Sequence, residues 1–180
     1  GAERTDIRDG VALSVNLEPD VKSGMIGWRA RKHAGLIDID LPASQPVDDF
    51  WERVTPSDLT VGGLVLNPDE FYILASREFV TVPKGHAAEM RAYDTRVGEF
   101  RAHYAGFFDP GFGMAELGAE GTRAVLEVRS HDVPFLIEQG QTVCRLVYEP
   151  MVSVPAKLYG VGGSNYQSQG LRLAKHFIQD

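Results

Sequence analysis

A glutamate in an apolar stretch is the first residue of this sequence that could do acid–base chemistry. In "RAVLEVRS", residues 123–130, the two-residue alternation of a strand places Glu127 and Arg129 on one face and apolar side chains on the other. A partly buried glutamate whose pKa is raised can serve as general base and acid near neutral pH. The alternative, which the strand on its own favours, is an exposed Glu127 paired with Arg129.

A second stretch combines a turn with many aromatic residues. "HYAGFFDPGFG", residues 103–113, contains Asp-Pro-Gly, in which the aspartate accepts backbone hydrogen bonds and the glycine supplies a positive φ. A turn explains Asp109 to Gly111 completely. It does not explain why Gly106 and the aromatic residues crowd the approach to Asp109, so a backbone that approaches a ligand is the second interpretation.

Other chemistries lack the residues they need. One cysteine cannot build the cysteine-based zinc sites, and none of the five histidines stands three or four positions from another, so no metal site is predicted. Cys144, in the apolar stretch "TVCRLVY", is interpreted as a buried structural thiol. The phosphate-binding loop, the G-x-S-x-G elbow and a dinucleotide fingerprint after a strand do not occur. Carboxylate chemistry is what remains.

The elements that must position these residues are predicted to be strands. Residues 84–95 are assigned to a strand in preference to a helix, and "PVDDFWERV" at 46–54 predicts one short helix. Alternating or short β-branched runs bounded by turn residues predict the other strands at 11–17, 36–41, 64–68, 70–76, 78–83, 123–130 and 134–150. The architecture is therefore expected to be all-β, a sandwich or a distorted barrel.

The C-terminal residues differ in character from the rest. We expect a β domain over residues 1–155 and an arm over residues 156–180. Four glycines within eleven positions from Gly160 predict mobility. Large polar aromatic residues such as Tyr159 and Tyr166 instead favour a segment that orders over a ligand. A disordered terminus is the alternative.

The amino-acid composition and the net charge exclude several classes of protein. The 180 residues are 43% hydrophobic with a formal net charge of −7, which fits one globular domain and gives no support to DNA or RNA binding. No apolar run approaches about 18 residues and no signal-peptide pattern opens the sequence, so we expect a soluble, cytoplasmic protein without a membrane partner. The opening Gly1-Ala2 suggests a cleaved tag, a processed chain or a fragment.

Several stretches together resemble the dCTP deaminase branch of the dUTPase-like family. "AHYAGFFDPGFG" is followed by "AVLEV", with "RAYDTRVGEF" before it and "SNYQSQG" near the C-terminus, and their order is similar over residues 60 to 175. The likeness is greatest to the C-terminal repeat of the long two-repeat bacterial form. "ALSVNL" looks like the family's first strand motif, with Asn16 where an aspartate is usual.

The resemblance implies a fold, an assembly and a reaction. The fold would be a β-clip, dUTPase-like distorted barrel with one or two short helices and a flexible C-terminal arm that closes over the nucleotide. The chain would form a homotrimer, or a pseudo-trimer with a second repeat, with nucleotide sites between subunits. It would deaminate dCTP to dUTP and ammonia by hydrolysis, with no cofactor for the chemistry and with Mg²⁺ accompanying the triphosphate.

The resemblance also assigns roles to residues. Glu127 would deprotonate the attacking water and pass the proton to the leaving amine, with Arg96 beside it and the backbone of Ala105 holding that water. The expected substrate contacts are Arg91, Ala92, Asp109, Val125, Leu126, Tyr159, Asn165, Tyr166 and Gln169.

Departures from the family pattern leave the function open. Ala92 and Tyr93 stand where the family has two serines, Asn165 stands where it has a lysine, and "MAELGAEG" at 114–121 is an insertion. One interpretation is a working dCTP deaminase with altered phosphate contacts. The other is a degenerate scaffold repeat that contributes one wall of a shared nucleotide site. A binding module unrelated to nucleotides would require the motif match to be accidental, and a dUTPase-type pyrophosphatase is less expected because "AVLEV" supplies the deaminase glutamate.

Overall fold

Strands make up most of the regular secondary structure. The computed structural model describes residues 10–92, 100–104, 107–115, 120–130, 132–161 and 171–178. Within these ranges lie one short helix, α1 (Val47–Phe50), and a 3-10 turn at Pro56–Asp58. The strands are β1 (Val11–Asn16), β2 (Gly27–Ala30), β3 (Trp51–Val54), β4 (Leu59–Thr60), β5 (Gly63–Leu66), β6 (Phe71–Val80), β7 (His86–Ala92), β8 (Phe100–Tyr104), β9 (Thr122–Ser130), β10 (Phe135–Ile137) and β11 (Thr142–Pro150). The prediction of an all-β chain with one or two short helices is confirmed.

The strands form one large curled sheet and one small sheet. The large sheet follows the order β3-β2-β6-β1-β11-β7, while β9 pairs with β6 and β8 pairs with β9. Because β7 and β8 also come into contact, this sheet curls into a half-barrel. The small sheet has the order β10-β5-β4. Strand β6 is central, since it pairs with β1 and β2 along one edge and with β9 along the other.

Two hydrophobic clusters cover the two faces of β6. The larger cluster, on the inner face, includes Tyr72, Leu74 and Leu126, all fully buried. Neighbouring residues of a strand point to opposite faces, so Ile73, between Tyr72 and Leu74, faces a second group that we call the outer cluster. Its buried members are Met25, Trp28, Phe50, Leu173 and Phe177. The C-terminal segment therefore packs against the sheet, since two members of the outer cluster come from residues 171–178.

Most of the predicted strands are confirmed. Residues 84–95 contain β7, and the predicted strands at 70–76 and 78–83 join into β6, a single ten-residue strand with an irregularity between Ala75 and Phe79. The predicted helix at 46–54 is confined to its first half, because Trp51–Val54 forms β3. No helix of the described ranges is long and apolar enough to cross a membrane.

The prediction of a strand at 36–41 is wrong. These residues are irregular, and Leu36 and Ile39 are 97% and 72% exposed. The segment is instead held by its backbone, since the Ile39 carbonyl lies 3.1 Å from the Nε2 atom of His176. An alternating pattern produces a strand only where the edge of a neighbouring strand supplies hydrogen bonds. Here the edge of β6 is occupied by β2, a strand that the sequence pattern did not predict.

Cys144 is a structural thiol, as predicted. It lies fully buried in β11, in register with Leu13 of β1 and Ala92 of β7. Burial raises the pKa of the Cys144 thiol to about 12, and the Glu78 carboxylate acts in the same direction. The thiol is therefore protonated and inaccessible in the folded chain at ordinary pH.

We predict that the native protein does not react with a thiol-exchange reagent such as Ellman's reagent at about pH 8. Unfolding in guanidinium should release the one thiol of the chain for reaction, because the unfolded pKa returns to its ordinary value of 9.0. The measurement is the absorbance of the released thionitrobenzoate with and without denaturant. Rapid reaction of the folded protein would contradict the buried assignment.

Candidate functional site

The alternation predicted for β9 is confirmed. Ala124, Leu126 and Val128 are fully buried in the inner core, whereas Val125 and Glu127 are half-buried on the outer face. Glu127 is thus neither a core residue nor a fully solvated one, which is the environment in which a carboxylate can take part in proton transfer.

Apolar side chains flank Glu127 on the outer face. Glu127 is in register with Ile73 of β6, and Ile73 is in register with Trp28 of β2. Both neighbours belong to or pack against the outer cluster. On the same face the guanidinium of Arg129 lies over the ring of Phe71, 4.8 Å from its centroid. Side chains of β6 and β2 therefore form an apolar wall beside the Glu127 carboxylate. The sequence analysis missed these residues because they are far apart in the chain and share no local pattern.

Strands on both sides pair with the strand that contains Glu127. Strand β8 pairs with β9 from Tyr104 opposite Leu126 to Phe100 opposite Ser130, and β6 pairs with β9 on its other side, with an irregularity between Ala75 and Phe79. Further along the chain, the N–H group of Phe108 donates to the carbonyl of Ala88 on β7 at 2.9 Å, and the N–H group of Ala88 donates back at 2.8 Å.

Val125 and Leu126 come just before Glu127 on β9. Val125 is in register with Ala75 of β6, and Leu126 is in register with Leu74 of β6 and with Tyr104 of β8. A planar ligand with donors and acceptors could bond to backbone groups near this carboxylate.

The Asp109 turn is firmly held against the chain that follows β6. The Gly111 N–H group donates to the carbonyl of Val82 at 3.0 Å, and the Val82 N–H group donates to the carbonyl of Phe112 at 2.8 Å. The buried rings of Phe108 and Phe112 pack edge to face with centroids 5.1 Å apart. The aromatic residues thus anchor the turn, while the side chain of Asp109 is exposed.

Tyr159 joins this turn from the C-terminal part of the chain. Its N–H group donates to the carbonyl of Pro110 at 2.8 Å, and its ring packs against Phe112 with centroids 5.6 Å apart. The structure therefore brings together Asp109 and Tyr159, two residues that the sequence predicts as substrate contacts.

The remaining predicted residues are distributed differently. Arg91 is exposed on β7, with ion pairs of 3.7 Å to Glu89 and 3.6 Å to Glu149, and β6, β1 and β11 separate β7 from β9 in the sheet. Ala92 ends β7. Five predicted site residues, and Tyr93, lie outside the described residues; the five are Arg96, Ala105, Asn165, Tyr166 and Gln169.

A pocket of about 440 Å³ opens on the outer face next to Val125. Asn16 and Ala75 line this pocket. Ala75 is in register with Asn16 of β1 on one side and with Val125 of β9 on the other. Arg123 also lines it, donating through Nη1 to the Ser76 carbonyl at 2.7 Å with its guanidinium 4.7 Å from the Phe79 centroid. No group of three His, Cys, Asp or Glu side chains in the described ranges is arranged to hold a metal ion.

Comparison with known proteins identifies the family of the chain. Residues 1–177 match the family model described as "2'-deoxycytidine 5'-triphosphate deaminase (DCD), C-terminal domain". The chain belongs to this dCTP deaminase family. The crystal structure of 2'-deoxycytidine 5'-triphosphate deaminase from Agrobacterium tumefaciens is 53% identical in sequence over 89% of this chain, with a TM-score of 0.76. The predicted family and its dUTPase-like fold are confirmed.

Curated relatives of the dCTP deaminase family are similar over different lengths. A protein of Methanobrevibacter smithii named "dCTP deaminase, dUMP-forming" is 35% identical over 118 residues, which are 63% of this chain and 56% of the relative. A protein of Beutenbergia cavernae with the same name is 28% identical over 178 residues, which are 92% of this chain and 86% of the relative. The chain covers 46% of the A. tumefaciens protein, so it spans about half of that length.

The conformation of Gly113 is a testable feature of this family member's turn. Gly113 has a φ of 68°, and a side chain there would overlap the Val80 carbonyl oxygen and lie 3.0 Å from the Thr122 nitrogen. We predict that Gly113→Ala lowers the free energy of unfolding by about 2–4 kcal/mol, through backbone strain and this overlap. The measurement is chemical denaturation followed by circular dichroism.

Gly24→Ala is the matched control. Gly24 has a φ of 70°, and no atom lies within 4 Å of the position that an added methyl group would take, so the same backbone strain alone should cost about 1 kcal/mol. Equal losses of stability in the two variants would show that the contact of Gly113 with β6 and β9 does not constrain the turn.

Proposed function

We propose that this member of the family deaminates dCTP to dUTP and ammonia, with Glu127 as general base and acid. The observation that carries the proposal is the position of Glu127. It is half-buried on the outer face of β9, in register with His103 of β8 on one side and with Ile73 of β6 on the other. Membership of the dCTP deaminase family supports the same reaction.

The reaction requires two proton transfers at one place. Glu127 takes a proton from water, and the resulting hydroxide forms a bond to C4 of cytosine as the electron pair of the C4=N3 bond moves to N3. Glu127 then gives its proton to the amino nitrogen, and the C4–N4 bond breaks so that ammonia leaves. The remaining hydroxyl proton is transferred from the oxygen on C4 to N3, which gives the C4=O and N3–H groups of uracil. The sum is dCTP plus water giving dUTP plus ammonia. A carboxylate that only relays a proton is regenerated in each cycle, and this chemistry needs no zinc.

The order of residues on β9 suggests how the base is held. We expect the cytosine edge to bond to backbone groups of Val125 and Leu126, which come just before Glu127. The exposed Asp109 carboxylate would accept a hydrogen bond from the deoxyribose. Because Ala105 lies in the chain between β8 and the turn, its backbone is the expected support of the attacking water, with Arg96 beside Glu127.

The triphosphate is expected to meet a second copy of the domain. Arg91 is exposed on β7, with ion pairs to Glu89 and Glu149, so an Arg91 on the surface of a neighbouring subunit or repeat is suited to reach the phosphates of this site. A homotrimer or a pseudo-trimer would provide such a neighbour, and Ala92 and Asn165 would line the same path. Mg²⁺ would enter with the triphosphate as part of the substrate.

The C-terminal residues would complete the enclosure of the nucleotide. We propose that residues 156–180 act as the arm of the β domain formed by residues 1–155, with Tyr159, Tyr166 and Gln169 on the nucleotide. The contact of Tyr159 with the Asp109 turn supports this assignment, because it places the start of the arm beside the expected sugar site.

The central test replaces the carboxylate without changing its shape. Glu127→Gln should lower kcat for dCTP by at least about 100-fold, since the amide cannot accept and return the proton, and should leave dCTP binding measurable by calorimetry. The matched control is Glu138→Gln in the exposed turn between β10 and β11, which should keep wild-type turnover. Ammonia release and anion-exchange separation of dCTP, dUTP and dUMP give the readout.

Each outcome of this test has a distinct meaning. Full turnover by Glu127→Gln would remove Glu127 from the mechanism. Formation of dUMP and diphosphate would place the chain with its relatives named dUMP-forming and would correct the product. A wild-type chain that turns over dCTP only when a second repeat is added would replace the proposal with a shared site.

A further inference from the structure

Strand β6 is irregular opposite the residues that are expected to hold the base. Ala75 is in register with Val125 of β9. The next register pair joins Phe79 to Arg123. The residues of β6 between Ala75 and Phe79 therefore stand opposite Ala124 alone, which is a β-bulge. Because a bulge interrupts the ladder of backbone hydrogen bonds, the N–H group of Ala124 needs another partner there.

A serine side chain supplies this partner. The N–H group of Ala124 donates to the Oγ atom of Ser76 at 2.8 Å, and the Ser76 hydroxyl donates in turn to the Glu78 carbonyl at 2.8 Å. Ser76 and Ala124 are both fully buried. Since solvent does not reach them, an Ala124 N–H group without this bond would be unpaired and costly. The hydroxyl of Ser76 therefore fixes the backbone of β9 at Ala124.

Two further contacts close the bulge. Arg123 donates through Nη1 to the Ser76 carbonyl at 2.7 Å, and its guanidinium lies over the ring of Phe79. The Glu78 carboxylate accepts hydrogen bonds from the N–H group and the hydroxyl of Ser14 at 2.8 Å and 2.5 Å, where the pairing of β1 with β11 is also irregular. The bulge is thus tied to the strands on both sides of β6, which leaves Ser76 little freedom to move.

The bond from Ala124 determines where the next residue directs its backbone groups. In a strand, the N–H and C=O groups of successive residues point to opposite edges. Since Ala124 bonds toward β6, the backbone groups of Val125 point to the other edge of β9. From Leu126 to Arg129, in contrast, β9 is in register with both β6 and β8. The position of Glu127 therefore does not depend on Ser76.

We infer that Ser76 is a positioning residue for the cytosine base: its hydroxyl holds Ala124 and thereby orients the backbone groups of Val125 to which the base is expected to bond. This inference rests on the proposed function. Ser76 is buried and acts only through the strand. A backbone that is already oriented loses less freedom when the base binds, so Ser76 favours nucleotide affinity more than the rate of the chemical step.

Ser130 offers a matched control at the other end of β9. It is also buried, with 2% of its surface exposed, and its hydroxyl donates to the carbonyl of Val133. Replacing either serine with alanine removes one buried hydroxyl group together with its hydrogen bonding. Only at Ser76 does β9 lose a bond next to Val125.

The experiment compares Ser76→Ala with Ser130→Ala in the full 180-residue chain, using dCTP with Mg²⁺. Loss of one hydrogen bond of ordinary strength should raise KM, and the calorimetric Kd for dCTP, about fivefold in Ser76→Ala. The value of kcat should change less than about twofold, because Glu127 keeps its strand partners. Ser130→Ala should keep the wild-type KM, while both variants lose thermal stability. Ser76→Thr, which retains the hydroxyl, should keep KM within about twofold of the wild type.

A measurement without a serine variant covers the case in which Ser76→Ala does not fold. In a ¹H–¹⁵N spectrum of Glu127→Gln, the Ala124 amide should exchange with solvent as slowly as core amides, and the Val125 amide signal should shift when dCTP binds. Fast exchange of Ala124, or a Val125 signal that bound dCTP does not move, would overturn the positioning role.

The kinetic results separate this role from the proposed function. Equal KM values for Ser76→Ala and Ser130→Ala, with dCTP turnover by the wild type intact, would overturn the positioning role alone. A wild type that neither binds nor converts dCTP would reject the proposed function, and the positioning role with it.

Discussion

The two backbone hydrogen bonds between Phe108 and Ala88 are the contact on which the candidate site depends, because they fix the turn that carries Asp109. Four residues before Phe108, Tyr104 is in register with Leu126 of β9, so the chain changes its strand partner from β9 to β7 between Tyr104 and Phe108. The buried, edge-to-face rings of Phe108 and Phe112 hold the turn in place. The strand that pairs with Glu127 and the turn that presents Asp109 are thereby joined by a short connection that is fixed at both ends.

The two faces of the sheet have different tasks. The inner face buries side chains such as Leu126 and Val128 completely, at about 1.5–3 kcal/mol for each large apolar residue, and this supplies most of the stability. The outer face buries a smaller group of aromatic residues that serves Glu127 and the C-terminal segment together, since Trp28 contributes to both. Loss of packing in the outer cluster would therefore affect the surroundings of the carboxylate and the attachment of the chain end at the same time.

The sequence predicted what is local and missed what joins distant residues. Alternation placed Glu127 on the outer face of β9, Asp-Pro-Gly identified the turn, and the apolar surroundings of Cys144 identified its role. The row from Trp28 through Ile73 to Glu127 depends on pairing between residues far apart in the chain, and no periodicity encodes it. The prediction of a strand at 36–41 failed for the opposite reason. The local pattern suits a strand, but the segment does not pair with a sheet, and Leu36 and Ile39 face solvent. The bridge between Phe108 and Ala88 could not be foreseen because the two residues are far apart in the chain and no local pattern relates them.

The alternation along β9 makes the core and the placement of Glu127 depend on the same strand register. Successive residues serve the core and the site in turn, so a slip of one position would bury Glu127 and expose Leu126 and Val128. Such a molecule would lose its core and displace the proposed general base in one step, so under the proposed function only molecules with the correct strand register would be active. Selection against misfolding and selection for activity would then act on the same nine residues of β9.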